Sequence, residues 1–158
     1  MKLVLIFLFG LYSCNAKKTL DFPTFHINNS ILLDKITRFI AINSKVGDGS
    51  DIIISSNKVS DTTVFYLVGD RRPNFKENRI LGCIYVNKVL IWLQGEEPDV
   101  QFISIDKSYS NEQLEVDIVK NENEVFFGHP LQWTLEFKGN TLVSCKSNSV
   151  ENCEEVPK

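Results

Sequence analysis

Apolar and polar positions follow two rhythms in this chain, and the change between them falls near Gly49. From Ile31 to about Ser44 the apolar residues recur every three or four places. Leu32, Ile36, Phe39 and Ile40 share one stripe with Leu33 beside it, while Asp34, Lys35, Thr37 and Arg38 take the other side. That period predicts an amphipathic helix. Asn28-Asn29-Ser30 supplies cap candidates before it, and Gly47 a left-handed stop after it. Before the helix, Phe22 to Ile27 reads as extended, because Pro23 biases its predecessor away from helix.

After Gly49 the pattern is that of strands. The stretch on which the others depend is Arg79 to Gln94, RILGCIYVNKVLIWLQ. Its arms, Ile80 to Val86 and Val89 to Leu93, are rich in β-branched and aromatic residues, and Asn87-Lys88 stands where a two-residue hairpin turn belongs. Ile80, Gly82, Ile84 and Val86 would face one way, and Leu81, Cys83 and Tyr85 the other. Both faces are apolar, so the hairpin is expected mid-sheet with something packed above and below it. A transmembrane helix is the rival reading, but a span needs roughly 20 apolar residues, and the Asn-Lys pair interrupts this one. Ile52 to Ser55 and Thr62 to Val68 predict strands joined by a polar turn over Ser56 to Asp61. Val100 to Ile105 predicts another. Leu114, Val116 and Ile118 alternate with acidic residues, as a half-buried strand or a short helix. Glu124 to Phe127 is a brief apolar piece. Leu131, Trp133, Leu135 and Phe137 give the cleanest period of two, and Gly139-Asn140 turns that strand back into Thr141 to Cys145. The expected fold class is α+β: one N-terminal amphipathic helix packed on a mainly antiparallel sheet of about seven to nine strands. A cystatin-like helix on a curved sheet is compatible with this, at the level of fold alone.

The N-terminus has a different character. Met1-Lys2 precedes the apolar run Leu3 to Tyr12, too short to span a bilayer and suited to a secretory signal. Leu11-Tyr12-Ser13-Cys14 follows and resembles the lipobox of bacterial lipoproteins. The resemblance covers about the first 14 residues. It implies cleavage before Cys14, acyl chains on that cysteine, and a membrane partner reached through the lipid, since stable anchoring takes more than one chain. Domain boundaries on this reading are a signal peptide over 1–13, a lipidated tether over 14–22 and one domain over 23–158. Asn15 after the cysteine favours the outer membrane, periplasmic face. A cut after Ala16 is the alternative, which would discard Cys14 and release a secreted protein.

The remaining composition narrows the function classes. The 158 residues carry a formal charge of −3 and a pI near 5.4, unlike the basic footprint of a nucleic-acid binder. Of the four cysteines, Cys145 and Cys153 flank the polar loop KSNSVEN. A disulfide between them would staple the C-terminal tail in an oxidising compartment. Cys83 reads as a buried thiol. The sequence holds no HExxH, CxxC, GxSxG or GxxxxGK[ST] motif, so no metal, cofactor or catalytic residue is assigned.

Three functions fit. The first is a non-catalytic envelope lipoprotein that binds another protein, for instance as an immunity or inhibitor protein. The second is a hydrolase with an unfamiliar site, using His26 or His129 with a carboxylate. The third is a small-ligand carrier whose doubly apolar strands line a cavity.

Overall fold

The structure, a computed structural model, describes residues 17–46, 51–69, 73, 79–106, 112–117, 130–149 and 153. The apolar leader, Leu11 to Ala16 with Cys14, the Gly47 stop, most of the Gly69–Asn78 loop, Glu124 to Phe127 and His129 lie outside them.

Among the described residues ten strands and one helix follow in the order β1 (Lys17–Phe22), β2 (Thr24–Ile27), α1 (Ser30–Val46), β3 (Ile52–Val59), β4 (Thr62–Gly69), β5 (Ile80–Val86), β6 (Val89–Gly95), β7 (Ile103–Ile105), β8 (Glu112–Asp117), β9 (Gln132–Lys138) and β10 (Thr141–Ser147). The protein is β-rich, and its helix follows two strands instead of leading the fold. The segment expected as a tether is β1 from Lys17 onward, paired antiparallel with β8.

The other eight strands form one mixed sheet in the order β10-β9-β4-β3-β6-β5-β2-β7. It is less purely antiparallel than expected, because β3 runs parallel to β6 and β2 parallel to β5. The second parallel pair needs a glycine. A Cβ on Gly82 would meet the Pro23 carbonyl and the Phe25 ring, and the same carbonyl accepts the Cys83 amide at 3.1 Å.

The β5–β6 hairpin lies mid-sheet, as its pattern demands. Asn87 and Lys88 both take left-handed angles, φ 51° and 69°, which the tight turn requires of each. One detail differs: a bulge between Ile80 and Gly82 shifts the register. Ile80 therefore joins the outer cluster and Leu81 the inner one, the reverse of a regular alternation. In the β3–β4 hairpin the strand runs on through Ser56 to Val59, where a polar turn was expected. The turn shrinks to Ser60-Asp61, with Ser60 at φ 59°.

Both faces of the central strands are covered. On the inner face α1 lays Leu32, Ile36, Phe39 and Ile42 against Ile52, Ile54, Leu67, Ile91 and Leu93. The Asn29 carboxamide oxygen caps this helix by accepting the Leu32 amide at 2.9 Å. The buried stripe is turned from the expected one. Leu33 is exposed, whereas Lys35, expected on the polar side, is only 3% exposed. Lys35 donates to the Cys153 carbonyl at 3.2 Å, so Cys153, itself buried, sits over that side of the helix. On the outer face Ile53, Cys83 and Trp92 are covered by Leu20 and Phe22 of β1 and Leu114 of β8. The Phe22 ring meets Trp92 edge-on at 5.2 Å.

The large sheet curls strongly. β9 and β7 stand six places apart in the strand order, roughly 29 Å in a flat sheet at ~4.8 Å per strand. Yet Phe102, immediately before β7, lies 4.9 Å from Phe137 of β9 and 5.1 Å from Phe65 of β4, centroid to centroid. The curl brings the β7 end back over the inner core, and this aromatic cluster closes it.

Candidate binding groove at the open sheet edge

The turn before β7 is built around Asp99. Its backbone carbonyl accepts the amides of Phe102 and Ile103 at 2.9 and 3.0 Å. Its carboxylate accepts the Gln101 amide at 3.1 Å and the Lys58 ammonium at 2.7 Å. Burial pushes the Asp99 carboxyl up, but the hydrogen bonds from Lys58 and Gln101, with the Lys58 charge and the Thr63 hydroxyl, outweigh it and hold the group below its ordinary value. Lys58 belongs to β3, so this pair ties the returning end of the curl to mid-sheet. Asn28 fixes the turn from the other side, donating to the Val100 carbonyl at 2.8 Å and to Ser104 Oγ at 3.0 Å.

So held, β7 forms one margin of the sheet. It pairs with β2 antiparallel, Phe25 opposite Ile105 and Ile27 opposite Ile103. The flanking bonds, Asn28 N–H to Phe102 carbonyl at 2.7 Å and Asp106 N–H to Thr24 carbonyl at 2.8 Å, fix the alternation. Even-numbered residues of β7 bond to β2, and odd-numbered ones direct their main-chain groups away from it. The Ile105 amide and carbonyl and the Ile103 carbonyl therefore point outward, and no described strand pairs with them.

A groove of about 590 Å³ runs along this margin. Phe25, Pro98, Val100, Ile103 and Ile105 form its apolar wall, His26 and Ser104 its polar strip, and Glu97 and Asp106 its charges. Val100 is 68% and Ile105 53% exposed, a large apolar presentation for a rim. No lysine or arginine is among the described residues lining it.

The sequence-derived candidates meet this geometry unevenly. His26 lines the groove, but its hydrogen-bond partner is Ser104 Oγ at 3.1 Å, not a carboxylate. The same hydroxyl lies 3.3 Å from Asn28 Oδ1. A serine beside a histidine is the beginning of a nucleophile–base pair, but such a pair needs a third group to orient the imidazole. None of the described residues fills that role. Among the described residues no set of three metal-ligating side chains converges. The doubly apolar strands do not line the groove; both their faces are taken by α1 and the β1–β8 ribbon.

Cys145 and Cys153 are joined as expected, Cα to Cα 5.8 Å, and Cys83 is a buried thiol in no disulfide. Sequence reading missed Ser104, Asn28, Glu97 and Asp106. Ser104 lies within β7, Asp106 just after it, Glu97 before the turn that leads into it and Asn28 far back in the chain, and nothing in their spacing marks a groove. No protein-family model matches the chain, and no curated protein or solved structure shows significant similarity to it.

Proposed function

We propose that this chain is a non-catalytic protein-binding module of the bacterial cell envelope, tethered by lipid on Cys14. The observation that carries the binding half is the apolar groove beside the margin of β7 that no described strand covers, with Val100 and Ile105 at its rim. An apolar patch next to unpaired main-chain groups is a surface that gains by being covered. The envelope half is supported by the resemblance of Leu11-Tyr12-Ser13-Cys14 to a lipobox, and by the Cys145–Cys153 disulfide, which belongs to a non-reducing compartment.

Photo-crosslinking tests the binding half. A photoreactive amino acid at Ile105 or Val100 should yield one discrete adduct in envelopes, and the same label at Tyr85, exposed on the outer face, should not. Equal labelling from all three positions, or none, would remove the proposal. Fatty-acid labelling that persists in Cys14→Ala would remove the tether.

A small-ligand carrier is the second reading. The groove volume favours it, since it falls within the ~300–1,000 Å³ range of ligand sites. It predicts that an apolar dye is displaced from the groove by a small molecule without any protein adduct at Ile105.

A further inference from the structure

We propose that the lipid holds the domain directly against the bilayer, with the Lys17–Asp117 end of the β1–β8 ribbon as its membrane-facing end. This rests on the lipid-anchoring half of the reading above and adds the surface that meets the headgroups. By sequence, the stretch from Cys14 to Phe22 is a free tether. Extended at ~3.3–3.6 Å per residue, it would let the domain stand up to ~30 Å from its anchor. The structure removes most of that length. β1 begins at Lys17, and all of it is in register with β8, from Lys17 opposite Asp117 to Phe22 opposite Glu112. The ribbon is in turn fixed to the body. Leu20 and Leu114 pack on the outer cluster, and Phe22 is buried in it with its ring edge-on to Trp92. The next residue, Pro23, accepts the Cys83 amide with its carbonyl. A strand held at these points is not slack.

Only Asn15 and Ala16 then separate Cys14 from β1. Whatever path they take, the Lys17 Cα lies within ~11 Å of the Cys14 Cα, the full reach of that stretch. Asp117 stands beside Lys17 across the ribbon. At ~5 Å between paired strands, it comes within ~16 Å of the lipidated residue, although it is remote in sequence. The polar headgroup zone is itself ~5–8 Å deep on each side of a bilayer, so much of the reach is used up within it. An anchor this short does not carry the domain clear of the headgroups, and the ribbon end meets them.

The test uses the acylated full chain in vesicles of phosphatidylethanolamine and phosphatidylglycerol, with an acceptor dye on a fraction of the headgroups. A donor dye is placed on Thr19→Cys in one sample and on Asp117→Cys in another. With Cys14 acylated, Cys83 buried and Cys145 bonded to Cys153, each variant offers one reactive thiol. Thr19 is near the anchor by chain length alone, whereas Asp117 is near it only through the pairing of β1 with β8. Both donors should transfer energy strongly and to the same extent. A glycine–serine spacer of about 20 residues between Ala16 and Lys17, with an r.m.s. span of ~25 Å, should cut transfer from both by about half or more. Glu115→Cys, opposite Thr19, repeats the measurement if Asp117→Cys does not fold. Strong transfer from Thr19 with weak transfer from Asp117 would overturn the proposal, because β1 would then be a free tether. Transfer from Asp117 that the spacer leaves unchanged would overturn it too, because another surface would be holding the domain down. In both cases acyl mass on Cys14 keeps the anchoring reading. A chain without acyl mass that leaves the vesicles would remove that reading and this inference together.

Discussion

The two margins of the large sheet are treated differently. At one end β10 carries a bulge between Leu142 and Ser144, which leaves Val143 out of register, and Cys145 on the same strand is bonded to Cys153. A bulge twists an edge away from straight pairing. At the other end β7 is short but regular, with outward main-chain groups at Ile105 and an apolar groove beside them. The first edge is bulged and stapled; the second, only three residues long, is regular and no described strand pairs with its outer side. A regular edge with no partner among the described strands, opposite a bulged one, is where a partner is expected.

The largest effect expected from breaking this contrast is at Phe102, whose ring closes the curl against Phe65 and Phe137. Phe102→Ala should cost ~3–5 kcal/mol in urea unfolding and abolish capture at Ile105, because β7 loses its support. Next is the C-terminal staple. Cys153→Ser should cost ~2–3 kcal/mol; the Cys153 carbonyl that accepts from Lys35 is main chain, so the substitution leaves that acceptor in place. Because that damage falls at the β10 end, crosslinking from Ile105 should persist under conditions where the variant remains folded.

A smaller effect is expected at Asp99. Its folded carboxyl is held below the ordinary 3.8. The charged form therefore stabilises the fold above the unfolded value, and that contribution is lost as pH falls through the folded one. Asp99→Asn should be less stable than the native chain near neutrality, by about 1 kcal/mol or less given that Lys58 is half exposed. The gap should close as the native chain is acidified below about pH 4 in parallel unfolding curves. The smallest effect should be Val143→Thr, an exposed bulge position. A change within about 0.5 kcal/mol and unaltered crosslinking at Ile105 are expected. A large loss there would mean that β10 is the working edge.

Strong local patterns foretold much of the framework. The 3.6 period found α1, the doubly apolar Ile80–Leu93 stretch found a hairpin covered on both faces, and Leu131–Phe137 found β9. What failed was decided by distant partners. Lys35 reads as polar surface until Cys153 meets it. Lys17 to Phe22 reads as a tether because its partner, β8, lies far along the chain. Ser56 to Val59 reads as a turn, since main-chain pairing with β4, not side-chain pattern, makes it a strand. The groove was least legible. It arises from the curl of the sheet, and the curl arises from Phe102 meeting rings that are neighbours only in space.

Hydrogen exchange at the Ile105 amide, followed by NMR with and without envelope extract, tests the central claim most directly. The account predicts that this amide exchanges fast in the free protein and becomes protected when the extract is added, while the amides of β10 do not change. An Ile105 amide already protected in the free protein, or protection that appears along β10 instead, would contradict it.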